Sequence, residues 1–268
     1  GGKDIVLALK APLLVADEGW GKTGRKLSFY EDLFVLAVPA GKDLIIPGEV
    51  LDISSYFDTI NDLKWKAPAG KWTIYRIGHA STGRPPHPVP DDLLGKVLEA
   101  DKMSKEQTVW HWQNVINPLK ENLGEYFGTS FRHMLIDSYE AGNQNWTAGF
   151  REESIKLKGY DPLPWLVSFT TSAPPGSGSK ERCIILSEEQ TKRFNWDYRD
   201  VISHLFNENG WVTASQMLHN ENLKLQFEPY GGPFNTPDGI ALADLPMAEF
   251  WTRGTGGINP EIPAAARA

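Results

Sequence analysis

The chain has 268 residues, 41% hydrophobic and 23% charged, with a net charge of −7. That balance is globular rather than disordered, and an acidic surface lacks the basic patches that nucleic acid or an anionic membrane demands. No apolar run reaches the ~18 residues of a membrane span, and the single cysteine, Cys183, excludes an internal disulfide and a thiolate zinc cluster.

Residues 1–85 read as β-rich. Ile5 to Leu9, Leu33 to Val38, Leu44 to Ile46 and the alternating run Trp72 to Ile77 are strand candidates, stopped by Pro39 and Gly41, by Pro47-Gly48, and by the turn Pro68-Ala69-Gly70. Four prolines in the six residues from Pro85 to Pro90 exclude helix interior and central strand, so a boundary or active-site loop is expected there.

The texture then changes. Ser104 opens a helix whose apolar face is Val109, Trp112, Val115, Ile116, Leu119 and Leu123, with a kink expected at Pro118. Phe131 to Ile136 predicts a strand and Trp146 to Leu157 a helix closed by Gly159. Cys183 sits in an apolar run and reads as a small core residue. Ser187 opens a helix through Phe206, a second helix covers about 211–219, Leu223 to Phe227 is a strand, and another strand ends near Met247 to Phe250. Pro260 to Ala268 begins a further helix.

Strands alternating with helices predict an α/β fold with a parallel sheet. The spacing suits a (β/α)8 TIM-like barrel, but only about 174 residues remain after residue 95, against the roughly 250 such a barrel needs. The expected architecture is therefore a β-rich segment, residues 1–85, followed by the N-terminal portion of an incomplete barrel, residues 86–268, within a longer protein.

Three segments share a pattern of strand, glutamate and loop: Met134 to Glu140, Leu225 to Gly232, and Asp244 to Trp251. A barrel carries its chemistry at such strand ends. Glycoside hydrolysis needs one carboxylic acid to protonate the leaving oxygen and one carboxylate to activate water or attack directly. Crowding in a dry pocket keeps one of them protonated near neutral pH. Glu140, Glu228 and Glu249, each beside an aromatic residue (Tyr139, Tyr230, Trp251), are the candidates. The plain alternative is that they are solvated rim residues or salt-bridge partners. The 10 tryptophans serve core packing or flat platforms for sugar rings.

Several blocks resemble the α-L-rhamnosidases of glycoside hydrolase family 106. They are Trp72-Thr-Ile-Tyr-Arg-Ile-Gly-His-Ala-Ser-Thr-Gly83, Glu99-Ala-Asp-Lys-Met-Ser104, Asp137-Ser-Tyr-Glu-Ala-Gly-Asn-Gln-Asn-Trp-Thr147, Gly159-Tyr-Asp-Pro162, Glu228-Pro-Tyr-Gly-Gly232 and Pro246-Met-Ala-Glu-Phe-Trp251. The resemblance covers roughly residues 65–268. It implies a calcium-dependent inverting hydrolase of terminal α-L-rhamnose, acting on a rhamnose-containing oligosaccharide or polysaccharide. Glu140 matches the general acid, Glu249 the general base, and Glu228 a carboxylate at the metal and sugar site. Asp137, Asn145, Trp146, Tyr230 and Trp251 are the implied substrate contacts. A secreted or periplasmic bacterial enzyme is expected, although this chain carries no signal peptide.

Where a glycine is expected after the helix ending near His219, the sequence has Asn222, which also tolerates a left-handed backbone. Asn145 serves equally as a sugar contact or as the cap of the next helix. His79 and His87, flanking the proline loop, read as structural rather than sugar-binding. No His-Glu-x-x-His, Gly-x-Ser-x-Gly or phosphate-loop motif is present, and Gly254 to Gly257 lacks the context of a phosphate cradle. Two other readings stay open: a non-catalytic carbohydrate-binding fragment, and a related barrel glycosidase with another sugar specificity.

Overall fold

The computed structural model describes residues 2–10, 29–58, 62–84, 86, 89, 90, 92, 93, 96–169 and 183–248. These fall into two compact units. One holds the described residues up to Ser81 together with Gly149–Tyr198, and the other holds Thr82–Ala148 and the residues from Arg199 on. Residues 149–198 thus cluster with the early strands.

In the first unit, β2 (Tyr30–Pro39) lies between β4 (Leu51–Asp52) and β6 (Trp72–Ala80), antiparallel to both. A second antiparallel pair joins β1 (Lys3–Ala8) to β5 (Asp62–Ala67). In β5, Leu63, Trp65 and Ala67 point inward while Lys64 and Lys66 point out, the two-residue period of a half-buried strand. The inward residues pack with Val35, Ala37 and Ile53 in one core.

The opposite face of β2 is buried as well: Leu36 is 0% and Val38 2% exposed. Helix α2 (Phe150–Lys158) lies near that face, since the Arg151 guanidinium sits 5.7 Å over the Phe34 ring. A short parallel pair, β3 (Leu44–Ile45) with β8 (Ile184–Ile185), brings the Cys183 run in, and the Thr191 hydroxyl bonds both the amide and the carbonyl of Ile185. Cys183 is half-buried, and burial pushes its thiol pKa up.

In the second unit, β7 (His133–Ile136), β9 (Lys224–Phe227) and β10 (Leu245–Pro246) form a parallel sheet with β9 in the middle. Helix α1 (Lys105–Leu123) opens at Ser104, whose hydroxyl accepts from the Gln107 amide at 3.3 Å. Thr108, Trp112 and Ile116, one turn apart, form its buried line. Pro118 lies on the exposed side and the helix continues past it to Leu123.

Helix α3 (Glu188–Leu205) and helix α4 (Thr213–His219) are not separate, as the sequence suggested. A π-helical turn, Phe206–Val212, joins them with helical dihedrals at Leu205 and Val212. At this turn Gly210 approaches the Lys102 carbonyl so closely that a Cβ would sit 3.0 Å from it. Helix α2 also departs from expectation. It starts at Phe150, capped by Gly149 in the left-handed conformation, rather than at Trp146.

Helix α4 ends in a Schellman turn. Asn222 has φ +57°, its amide bonds the His219 carbonyl at 3.1 Å, and the Leu223 amide bonds the Leu218 carbonyl at 2.9 Å. Leu218 and Leu223, both buried, are its hydrophobic pair. The turn leads into β9. Helix α5 (Thr236–Leu242), opened by Pro237, was not anticipated.

The two faces of the parallel sheet differ. On one, Leu225 and Phe227 are buried, with Phe227 against Trp211 at 4.9 Å. On the other, register aligns Leu135, Gln226 and Leu245, and the two leucines are 50% and 42% exposed.

Candidate active site

The carboxyl ends of all three parallel strands form one edge. Hydrogen bonding extends just past the strands: the Glu228 amide donates to the Ile136 carbonyl at 3.0 Å and the Met247 amide to the Phe227 carbonyl at 2.8 Å. The register that pairs Ile136 with Phe227 puts Asp137 beside Glu228, and that pairing Pro246 with Phe227 puts Met247 on its other side. Neighbouring parallel strands run ~4.8 Å apart. The three segments singled out in the sequence therefore leave the sheet side by side.

Glu228 is buried, at 3% exposure, which removes the solvated-rim alternative for it. Asp137 is exposed and its carboxylate accepts from the Ser138 amide at 3.0 Å. Glu140 is exposed, and its carboxylate accepts from the Ser138 hydroxyl at 2.8 Å. Tyr230 is half-buried. Its carbonyl accepts from the Tyr139 amide at 2.9 Å, tying the β7 loop to the β9 loop. Gly231 sits so close to that junction that a Cβ there would lie 2.4 Å from the Tyr139 carbonyl oxygen.

Tyr139 is the floor of the loop. It is buried edge-on against Phe206 at 5.3 Å and Phe234 at 6.5 Å. Burial pushes its phenol pKa well up, and the charges of Glu99 and Asp101 add to the shift. Tyr139 is therefore a neutral packing residue at any physiological pH.

Beyond Glu140 the chain continues through exposed Asn145 and half-buried Trp146. Asn145 is not the cap of α2, because that position belongs to Gly149. His79 lies in the first unit, on β6, where its ring meets the Glu31 carboxylate at 3.0 Å and the edge of Phe29 at 5.3 Å, in keeping with a structural histidine. Glu249 and Trp251 lie outside the described residues, as do His87, the glycine loop at 254–257 and the helix expected from Pro260.

A network that sequence reasoning missed sits under the same loop. The Asp101 carboxylate accepts from the Met103 amide at 2.9 Å, from the Thr147 hydroxyl at 2.6 Å and from the Gln144 side-chain amide. The Gln144 side-chain oxygen in turn accepts from the Lys102 amide at 3.3 Å, and the Lys102 ammonium pairs with Glu99. The only sequence signal for it was that Asp101 and Gln144 both fall in the resembling blocks.

Calcium takes six to eight oxygen ligands. Among the described residues no group of three or more Asp, Glu, His or Cys side chains is gathered to hold a metal ion. Glu228 offers one buried carboxylate at the strand edge.

Comparison with known proteins gives this strand-end arrangement its context. The family model for α-L-rhamnosidases of glycoside hydrolase family 106 matches residues 18–267, so the chain belongs to that family. A curated protein of Formosa agariphila, named "Putative beta-glucuronidase", is 36% identical over 260 residues, covering 85% of this chain and 21% of its own length. The solved structure of a rhamnosidase from Novosphingobium sp. PP1Y superposes with a TM-score of 0.65 at 29% identity, over 79% of this chain and 20% of that one. The chain thus spans about a fifth of the length of these relatives.

Proposed function

We propose that the protein is an inverting α-L-rhamnosidase that removes terminal rhamnose from an oligosaccharide or polysaccharide, outside the cytoplasm. The observation that carries this reading is the single edge from which the Asp137–Glu140, Glu228–Gly232 and Met247 segments emerge, with Glu228 buried. The parallel sheet is read as part of a (β/α)8 barrel. Its helix-covered face would be the outer one, and the face carrying Leu135, Gln226 and Leu245 the inner one. No helix among the described residues is long and apolar enough to cross a membrane.

In the proposed reaction Glu140, protonated, donates its proton to the glycosidic oxygen as the bond from that oxygen to the sugar C1 breaks. Glu249, ionised, takes a proton from a water that attacks C1 from the opposite face. The leaving group departs as a neutral alcohol and the sugar as a hemiacetal of inverted configuration. A separation of about 6.5–9.5 Å between acid and base leaves room for that water. Glu228, buried between the two segments, would grip sugar hydroxyls and supply one ligand to a calcium ion.

The test is release of rhamnose from phenyl α-L-rhamnoside by the full-length protein, with the product anomer followed by NMR. Glu140→Gln and Glu249→Gln are each expected to lower kcat by about 10²- to 10⁴-fold. An undiminished rate in either removes that residue's role, and a retained anomer removes inversion. The name of the Formosa relative favours a second reading, hydrolysis of β-glucuronides. Faster release from an aryl β-D-glucuronide than from the rhamnoside would replace the first reading with it.

A further inference from the structure

We infer that Asp101 is a positioning residue for the acid: it fixes the loop that carries Glu140 by clasping Gln144 and Thr147. The inference rests on the reading of Glu140 as general acid.

Glu140 projects from an exposed loop, and its carboxylate accepts from the Ser138 hydroxyl within that same loop. Such a side chain wanders unless the backbone on both sides is fixed. On the near side the loop is fixed at Tyr139, through its ring packing and its amide bond to Tyr230. On the far side the chain turns at Gly142, with φ +85°, and next becomes regular only at Phe150. Between these points Asp101 makes two contacts. One carboxylate oxygen accepts from the Gln144 side chain and the other from the Thr147 hydroxyl at 2.6 Å. Thr147 is 4% exposed, so its hydroxyl has no ready exchange with water.

The Gln144 amide is used at both ends, donating to Asp101 and accepting from the backbone amide of Lys102. Asp101 is itself held by the Met103 amide, just before the cap of α1. The far anchor of the loop is therefore tied to the start of a 19-residue helix. Charge-assisted bonds of this kind are about twice as strong as neutral ones. A carboxylate is the one side chain that accepts all three donors without offering a competing proton. Misplacing a reacting group by about 1 Å costs on the order of 10²-fold in rate, so a clasp remote from the sugar controls the rate through Glu140.

The test separates positioning from general support by varying the leaving group in the full-length protein. A dinitrophenyl rhamnoside departs without a proton and a phenyl rhamnoside requires one. Asp101→Asn and Thr147→Val are expected to lower kcat on the phenyl substrate by about 10- to 100-fold. On the dinitrophenyl substrate kcat should stay within about threefold, because that departure bypasses the acid. KM should be unchanged on both, and Thr147→Ser should restore the phenyl rate. Equal losses on the two substrates, or none, overturn the inference. If Asp101→Asn fails to fold, Thr147→Val alone decides by the same criterion. Glu140→Gln is run alongside. If it shows the leaving-group selectivity and the clasp variants do not, the clasp is wrong and the acid stands. If Glu140→Gln is itself unselective, the acid assignment falls and the clasp with it.

Discussion

In the first unit a polar cluster is closed on itself. The Arg76 guanidinium meets both oxygens of Asp32 at 2.7 Å, donates a third bond to the Leu9 carbonyl at 2.5 Å and lies 4.8 Å over the Phe57 ring, while the Tyr30 hydroxyl donates to Asp32 at 2.6 Å. Each member has its partner within the antiparallel sheets or beside them. In the second unit the polar groups gather at the carboxyl edge of a parallel sheet, where Glu228 is buried and Asp137 and Glu140 face solvent. Antiparallel strands send their ends alternately to both edges. Parallel strands send every carboxyl end to one edge, so the three-stranded sheet of the second unit gathers its loops in one place.

The two units can be perturbed separately, and the second core should respond most. Phe206 is fully buried among Tyr139, Trp211 and Phe234. Phe206→Ala should cost about 3–5 kcal/mol in urea unfolding of the full-length protein, by lost transfer and the cavity left behind. A loss under ~1 kcal/mol would mean that this core does not hold the loop floor. Next is Gly231→Ala. Its φ of +86° and the 2.4 Å approach to the Tyr139 carbonyl leave no space for a methyl, so the two loops must part. About 2 kcal/mol of stability is expected to go, with a fall in kcat on the phenyl rhamnoside. Unchanged kinetics would separate this junction from the site.

Arg76→Met tests the first unit. Removing the fork should cost about 2 kcal/mol, the scale of hydrogen bonds to a charged group, with kcat unchanged if the unit only supports. A changed kcat would give the first unit a part in the chemistry. The pair also sets an acid limit. Arg76 holds the Asp32 carboxyl below the usual carboxylate range, against the opposing effect of burial and with help from Tyr30. A lowered pKa in the folded state means that this stabilisation is complete above the ordinary carboxylate value of about 4 and fades as pH falls through the folded value. Urea midpoints measured from pH 6 downward should drop more steeply in the wild type than in Arg76→Met. Parallel curves would show that the pair contributes nothing, as many partly exposed pairs do. The smallest effect belongs to Asn222. Asn222→Ala should cost about 1 kcal/mol at its positive φ and Asn222→Gly nothing measurable. A neutral Ala would mean that the Schellman turn is not holding the approach to β9.

Much of this was legible because it is written locally. Ser104 as a cap, Gly159 as a stop, Asn222 in a left-handed turn and the run from Leu223 to Phe227 each follow from a residue and its near neighbours. The misses share one cause. β5 has only Leu63, Trp65 and Ala67 facing in between lysines, and it becomes a strand by pairing with β1, which lies more than fifty residues earlier. The break expected between α3 and α4 is a π turn fitted to the Lys102 backbone. Trp146 looked helical by composition, but the chain there is irregular, Thr147 is bonded to Asp101, and the helix starts only after the turn at Gly149.

By itself the sequence determined the periodicities, the turns and the three strand-glutamate-loop segments, because side-chain period and backbone preference act over a few residues. Only the tertiary structure decided which strands pair in the parallel sheet and in what register, that Glu228 is buried at their common edge, and that Asp101 reaches forward some forty residues to clasp Gln144 and Thr147. Those facts depend on which distant backbone groups meet, and hydrogen-bond pairing between remote segments leaves almost no trace in local composition.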